Sequence, residues 1–489
     1  MKDKDYSDFI GGIDSRDSYI PEKEAYFFED CLNVDKVGKN WIKTRGCQAV
    51  ITMTDEYSKG QAEYDYIGTK FLVYLTNLGN VYSWDDITNE PMLKISSLTP
   101  ESSPYFFQYY NKFFILTGLD DGYILDYAST PQYSQCGLLA ARGAYGKFGE
   151  SFAGRAFIAS GRTLYYSALG LPSDWLTAND AGLFTNFHSD ITGLKKYGEY
   201  LIIYTKTGPW ILSGDNPSNF IITEGSAAPI ILSKFGMCNF NTFHFAYSDG
   251  IVPVQLNSLG QISGGEPVSF RINDNLTEEI DIDRLSEIIM IPYEDRNQIW
   301  MYVPQKGVEG LKRCWIIDFN HFFDKKKIIA FFPREGKTIT TACKYKNSIY
   351  SADSSGKIYK ENSGTTFDGE EINWNIKLPK MDFGNRSRMK SCQFIRLWVS
   401  KLTINNFDVT EISMDGEEDT ETIAVEDETI PLYDEDNWDE AYVLSAGYIY
   451  EDIFAMDTPA YQFKFSGSNG QDIIFSGISF LYLRLLNSV

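Results

Sequence analysis

The residues that could do chemistry are few and badly placed for it. His188, His244 and His321 are the only histidines in 489 residues, far apart and in no HxH or HExxH pair. Each is expected to be a hydrogen-bonded structural residue rather than a metal ligand or triad base. Gly-x-Ser-x-Gly and GxxxxGK are both absent, so neither a nucleophile elbow nor a phosphate loop is proposed. The carboxylate pairs Asp120-Asp121 and Asp281-x-Asp283 are too ordinary in so acidic a chain to indicate acid–base catalysis, and they lack the spaced ligands and glycine of a calcium loop. Seven scattered cysteines with no CxxC pair suggest neither a disulfide framework nor a zinc site. No catalytic residue, metal or cofactor is nominated, and the expectation is a protein that is not an enzyme.

The elements that would have to position a site are more legible. Residues 199–214, EYLIIYTKTGPWILSG, read as a hairpin: an apolar strand, a polar turn with Gly208 and Pro209, and a second apolar strand. The pattern recurs, with Phe71, Phe113, Ala156, Tyr200, Phe243, Ile299 and Ser348 as equivalent positions spaced by 42, 43, 44, 43, 56 and 49 residues. A period of about 40 to 50 residues with several strands per unit predicts a β-propeller of about seven blades, each four-stranded once the intervening residues add two strands. Phe, Tyr and Trp dominate the repeated positions because each blade must bury its apolar face on its neighbour. The long fifth spacing implies an insertion at 261–287, expected to project from one face. One helical period is tolerable, from Leu276 to Ile291.

The fold class is therefore all-β: a lead-in and blade-closing segment at 1–63, the propeller at 64–365, and an appended C-terminal β-sandwich-like domain at 366–489. In that domain residues 373–401 carry Lys377, Lys380, Arg386, Arg388, Lys390, Arg396 and Lys401 against Asp382 alone, while residues 411–440 hold fourteen carboxylates and no Lys or Arg. Such runs are commonly solvated faces; read more sharply, they are complementary contacts between subunits, with Lys377, Lys380, Arg386, Arg388 and Lys390 as candidate interface residues. A net charge of −23 argues against general nucleic-acid binding but suits a wall past which DNA slides without sticking. No signal-peptide apolar region and no run of about eighteen apolar residues is present, so neither signal-directed export nor a membrane anchor is expected.

Among propellers, the glycosidases of sialidase type carry Ser-x-Asp-x-Gly-x-Thr-Trp boxes. The nearest match, Ser351 to Gly356, has the wrong spacing and no Thr-Trp, and reads as a turn in which Asp353 caps its own backbone and Gly356 takes a positive φ. WD and double-glycine marks are not repeated per blade.

An ordered series of residues does resemble a known family. It comprises Gly11-Gly12-Ile13, Asn33, Gly38 and Arg45-Gly46; then Arg155-Ala156-Phe157, Leu164 to Ser167 and Pro172-Ser173-Asp174-Trp175; then Leu201 to Ile203, Trp210 to Gly214 and Phe220; and finally Asp249-Gly250-Ile251 and Ile262-Ser263. Over residues 9–265 this is similar to the β-propeller tail hub or nozzle proteins of short-tailed bacteriophages, including the packaged-DNA stabilisation proteins. The chain departs from that pattern at Cys47, where proline commonly follows Arg-Gly. The resemblance implies a structural virion protein, assembled in the bacterial host cytoplasm into a ring, six-fold by analogy. Its partners would be adjacent tail or connector rings, tail fibre or needle proteins, and passing genomic DNA. The alternative is a glycan-binding or glycan-cleaving propeller. Locally, Trp175 and Trp210 are expected to pack blades, and Arg45 to be a surface or interface ion-pair partner.

Overall fold

The computed structural model describes residues 2–6, 12–14, 27–37, 40–96, 98–225, 229–256, 262–322, 328–381, 390–399, 406–424, 447–452, 457–458, 460–468 and 474–484. The fold is all-β and its sheets are antiparallel. Seven are four-stranded and follow one another along the chain, an arrangement compatible with a propeller. Their inner strands are Ser58–Tyr66, Tyr105–Tyr109, Phe148–Phe152, Ile191–Tyr197, Met237–Phe240, Ile289–Tyr293 and Thr341–Tyr345. All seven equivalent positions of the sequence repeat fall in the second strand of a sheet, from Phe71 in Thr69–Thr76 to Ser348 in Ser348–Ala352.

Aromatic side chains join most of these sheets to the next. Tyr64 stacks on Phe113 at 5.1 Å, Tyr105 meets Phe148 edge-on at 5.7 Å, and Phe240 meets Phe319 at 4.9 Å. Each such pair adds about 0.5–1.5 kcal/mol beyond the area it buries. A tyrosine latch recurs at four junctions. Tyr64, Tyr109, Tyr197 and Tyr345, at or near the ends of inner strands, donate to the carbonyls of Asn111, Gly154, Thr242 and Lys70 in the next sheet at 2.5, 2.8, 2.7 and 3.1 Å. The last of these runs from the seventh sheet to the first, as does Gln61 Nε2 to the Tyr350 carbonyl at 2.6 Å, so the series closes on itself.

The N-terminal segment performs that closure. Cys47–Thr52 is the fourth strand of the seventh sheet, with Cys47 opposite Glu361 and Ile51 opposite Ile358. This strand lies within the 1–63 segment, and Ser58–Tyr66 then opens the first four-stranded sheet. Upstream, Asp30–Leu32 pairs with Trp374–Lys377 in a five-stranded sheet, and Asn40–Lys43 pairs with Ile474–Arg484 in a seven-stranded one. Both ends of the chain thus build these two sheets, and Cys31, Val34, Trp41, Trp374, Phe407 and Phe463 share one core with the sixth four-stranded sheet.

The insertion does not simply project. Ile262–Gly264 is the outer strand of the fifth sheet, and the chain then forms a short helix, Asn273–Glu279, followed by a 3-10 turn, Ile282–Glu287. Ile272, Leu276 and Ile280 are buried in the main core and hold the segment down. The helical period from Leu276 to Ile291 is broken at Asp281, whose carboxylate accepts from Asp283 N–H at 3.1 Å; Ile289–Tyr293 is already a strand. Among the described residues no helix is long and apolar enough to cross a membrane.

One buried acid yields a pH prediction. Glu411, in Asn406–Ile412, is fully buried, neither carboxylate oxygen has a hydrogen-bond partner among the described residues, and Asp419 stands opposite on the next strand. Burial, then Asp419, pushes its pKa from 4.5 up to about 8. The folded chain then holds a proton that the unfolded chain releases, so stability falls as pH rises from 4.5 to 8. Glu411→Gln is expected to gain about 2 kcal/mol at pH 8 and nothing below pH 4. Urea midpoints at the two pH values measure this, and an unchanged midpoint at pH 8 refutes it.

Candidate functional site at the central mouth

The inner strands all begin at one end of the seven-sheet assembly, and a cavity of about 700 Å³ opens there. Its charged lining is Lys59, Lys147, Lys234 and Arg284 against Glu287 and Glu309, so the mouth is basic in a strongly acidic protein. The insertion supplies Arg284, Ser286 and Glu287. Arg284 is anchored by the Val308 and Gly310 carbonyls and by both oxygens of Glu287.

The mouth has a floor. Lys234, just before the fifth sheet, reaches the start of the second, where its amine donates to Ser103 O at 3.1 Å, Ser103 Oγ at 2.8 Å and Pro104 O at 2.5 Å. Phe235 stacks on Tyr105 at 5.8 Å, Tyr105 donates to the Leu194 carbonyl at 3.2 Å, and Met290 N–H donates to Phe235 O at 2.8 Å. Segments three sheets apart in the chain thus meet across the centre and close it. Desolvation, with a smaller push from Lys147, draws the Lys234 pKa down to about 7, and the three accepting oxygens oppose that pull.

A second, smaller cavity of about 510 Å³ lies between the N-terminal strands and the sixth sheet, lined by Asp35, Arg45, Arg296, Gln298, Asp318 and Asn320 among others. Burial raises the pKa of both aspartates. Asp35 accepts from Thr44 at 3.1 Å, and Asp318 accepts from Gln298 at 2.8 Å and from Asn320 N–H at 2.8 Å.

The residues singled out in the sequence take structural positions. His244 is fully buried; burial, then Lys195, pushes its pKa down to about 3. Its Nδ1 lies 2.7 Å from Asn239 Oδ1 and its Nε2 2.7 Å from the Tyr204 hydroxyl. Asn239 donates its amide to the Lys196 carbonyl, so its oxygen is the acceptor, Nδ1 carries the proton and Tyr204 donates to Nε2. Tyr204→Phe is expected to cost about 1–3 kcal/mol by leaving that nitrogen unpaired; a urea-derived loss under about 0.5 kcal/mol refutes the assignment.

His188 is exposed beside Trp210, and His321 lines the smaller cavity. Asp120 accepts from Thr99 and Thr117, Asp121 from Leu139 N–H, and Asp281 from Asp283 N–H, each fixing a turn. Asp353 caps Ser355 and Lys357 while Gly356 adopts φ +90°, as the sequence reading expects. Trp175 and Trp210 are packed in one core, and Arg45 is exposed at the rim of the smaller cavity.

Of the candidate interface cations, Lys377 lies mid-sheet opposite Asp30 and Lys464, and Lys380 is half-buried. Lys390 begins the strand Lys390–Val399, whereas Arg386 and Arg388 lie outside the described residues. Among the described residues no three His, Cys, Asp or Glu side chains are grouped to hold a metal ion. Lysines 147 and 234, which sequence reasoning missed, are isolated in the chain and are gathered only by the convergence of the inner strands. No protein-family model matches the chain, and no curated protein matches it.

Proposed function

We propose that this chain is a non-enzymatic structural protein of a short-tailed phage tail, a seven-bladed β-propeller with a C-terminal β domain that assembles as a ring around the genome conduit. The observation that carries this reading is that five described residues of the resemblance, Gly12, Asn33, Gly46, Arg155 and Trp175, hold tightly constrained positions, while Gly11 and Gly38 lie outside the described residues. A Cβ on Gly12 would stand 2.2 Å from the Phe331 carbonyl oxygen, and one on Gly46 1.7 Å from that of Thr366. Asn33, at φ 54°, donates to the Glu335 and Asn373 carbonyls and accepts from Glu335 N–H. Arg155 is buried against the Ser167 and Asp180 carbonyls, and Trp175 donates to the Cys136 carbonyl. The floored mouth then bears on mechanism: DNA passes between subunits and not through a propeller, along surfaces whose net negative charge limits adhesion. Mass photometry and negative-stain imaging, of the protein alone and with its tail partners, test this. Rings support it, and a monomer that joins no ring even with those partners contradicts it.

A second reading, a glycan-binding propeller, is favoured by one observation: the smaller cavity combines Asp35 and Asp318 with Arg45, Arg296 and two carboxamides. Saturable oligosaccharide binding abolished by Asp35→Asn would support it; a glycan array with no signal would remove it.

A further inference from the structure

We propose that the floor of the central mouth binds a tetrahedral phosphate group, with Lys147 as its donor and Lys234 as a fixed charge beneath it. Lys147 stands at the start of the third inner strand, its stem close to Gly118, where an added Cβ would lie 3.2 Å from Lys147 Cγ. Lys234 lines the same cavity. Among the described residues neither amine makes an ion pair, while the other cations of the cavity are engaged: Lys59 with Glu101 at 3.0 Å, and Arg284 with both oxygens of Glu287. In the adjoining recess Asp190 is held by Lys206 at 2.7 Å, which leaves Glu309 in the cavity and Asp283 in the recess as lining acids with no ion pair among the described residues.

The three protons of Lys234 are committed to Ser103 and Pro104, so this side chain offers charge in a fixed place with no reorganisation. The Lys147 amine lies over the Phe148 ring at 5.4 Å and makes no side-chain hydrogen bond among the described residues, and the Ser286 and Thr338 hydroxyls line the same cavity. An oxyanion between the two amines turns their repulsion into two attractions. The floored shape admits a free phosphate or a single-stranded end, and excludes a duplex as the ligand.

Isothermal titration of the full chain with pyrophosphate, at pH 6.5 and low salt, tests the site. One saturable site is expected, weakened at least tenfold in Lys147→Met and unchanged in Lys112→Met, a control at the opposite end of the inner strands. Lys234→Met should also weaken binding; should its loss of cross-centre bonds unfold the chain, Lys147→Met still decides. A short single-stranded oligonucleotide is the second probe, and its displacement by pyrophosphate assigns the same site to a strand end. No saturable pyrophosphate binding, or binding that Lys147→Met leaves intact, overturns the proposal.

Discussion

Replacing Arg334 by methionine is expected to destabilise the protein by about 3–5 kcal/mol, the usual cost of leaving one partner of a buried ion pair behind. Arg334 and Glu361 are both buried, and their 2.6 Å contact ties the sixth sheet to the seventh. The guanidinium also donates to Thr44 Oγ1, the Gly46 carbonyl and Asn362 Oδ1, and it lies over Trp300 and Phe367 at 4.9 and 5.3 Å. Thr44 and Gly46 immediately precede the strand that completes the seventh sheet, so the loss should concentrate there. Without Arg334, Glu361 retains only the Ser351 hydroxyl among the described residues. Urea unfolding should show the full loss, and hydrogen exchange should rise first in residues 47–52. Arg334→Met combined with Glu361→Gln should recover part of it, because the stranded charge is removed. A single variant within about 1 kcal/mol of the parent would show that this network does not hold the closure.

Gly46→Ala is the second large effect, expected at about 3 kcal/mol or more because the clash is with backbone. The added Cβ would lie 1.7 Å from the Thr366 carbonyl oxygen. Yielding there is obstructed by three backbone hydrogen bonds that pin the approach: Gly46 to Gly364, Ser363 to Gly46 and Cys47 to Thr366. Gly336→Ala is the matched control, since its Cβ would meet only the Phe367 ring at 3.4 Å and should cost less than about 1 kcal/mol. Equal thermal shifts in the two variants would contradict the geometry.

The part of the fold that is legible in the sequence is the part whose chemistry repeats. Strand runs such as FLVYL and FFIL are buried along their length and end in turns built on glycine or Asp, so the period survives in the residue types. The inner strands are less visible because crowding near the centre selects small residues. A Cβ on Gly60, Gly149 or Gly193 would meet Pro104, Phe107 or Met237 side chains at 2.2 to 2.4 Å, and the resulting glycines dilute an apolar pattern. The closing strand is read only as part of the 1–63 segment, with its own bounds hidden for another reason. Ala49 pairs with Tyr359, about three hundred residues away, and no local pattern encodes so distant a partner. The same applies to the mouth: Lys147 and Lys234 look like isolated surface lysines until seven strands converge on them. The charged runs at 373–401 and 411–440 are plain in the sequence, and Glu418 to Thr422 are exposed along a strand at the edge of its sheet, where acids also discourage unwanted pairing.

In the proposed assembly the chain builds a ring whose conduit runs between subunits while each copy is closed at its own centre. A three-dimensional reconstruction of the assembled tail by electron cryomicroscopy tests it most directly. A ring of copies around axial DNA density is expected, with unbroken density from Lys234 and Phe235 to Tyr105 inside every copy. DNA density threading a propeller, or a tail in which this chain forms no ring, would contradict it.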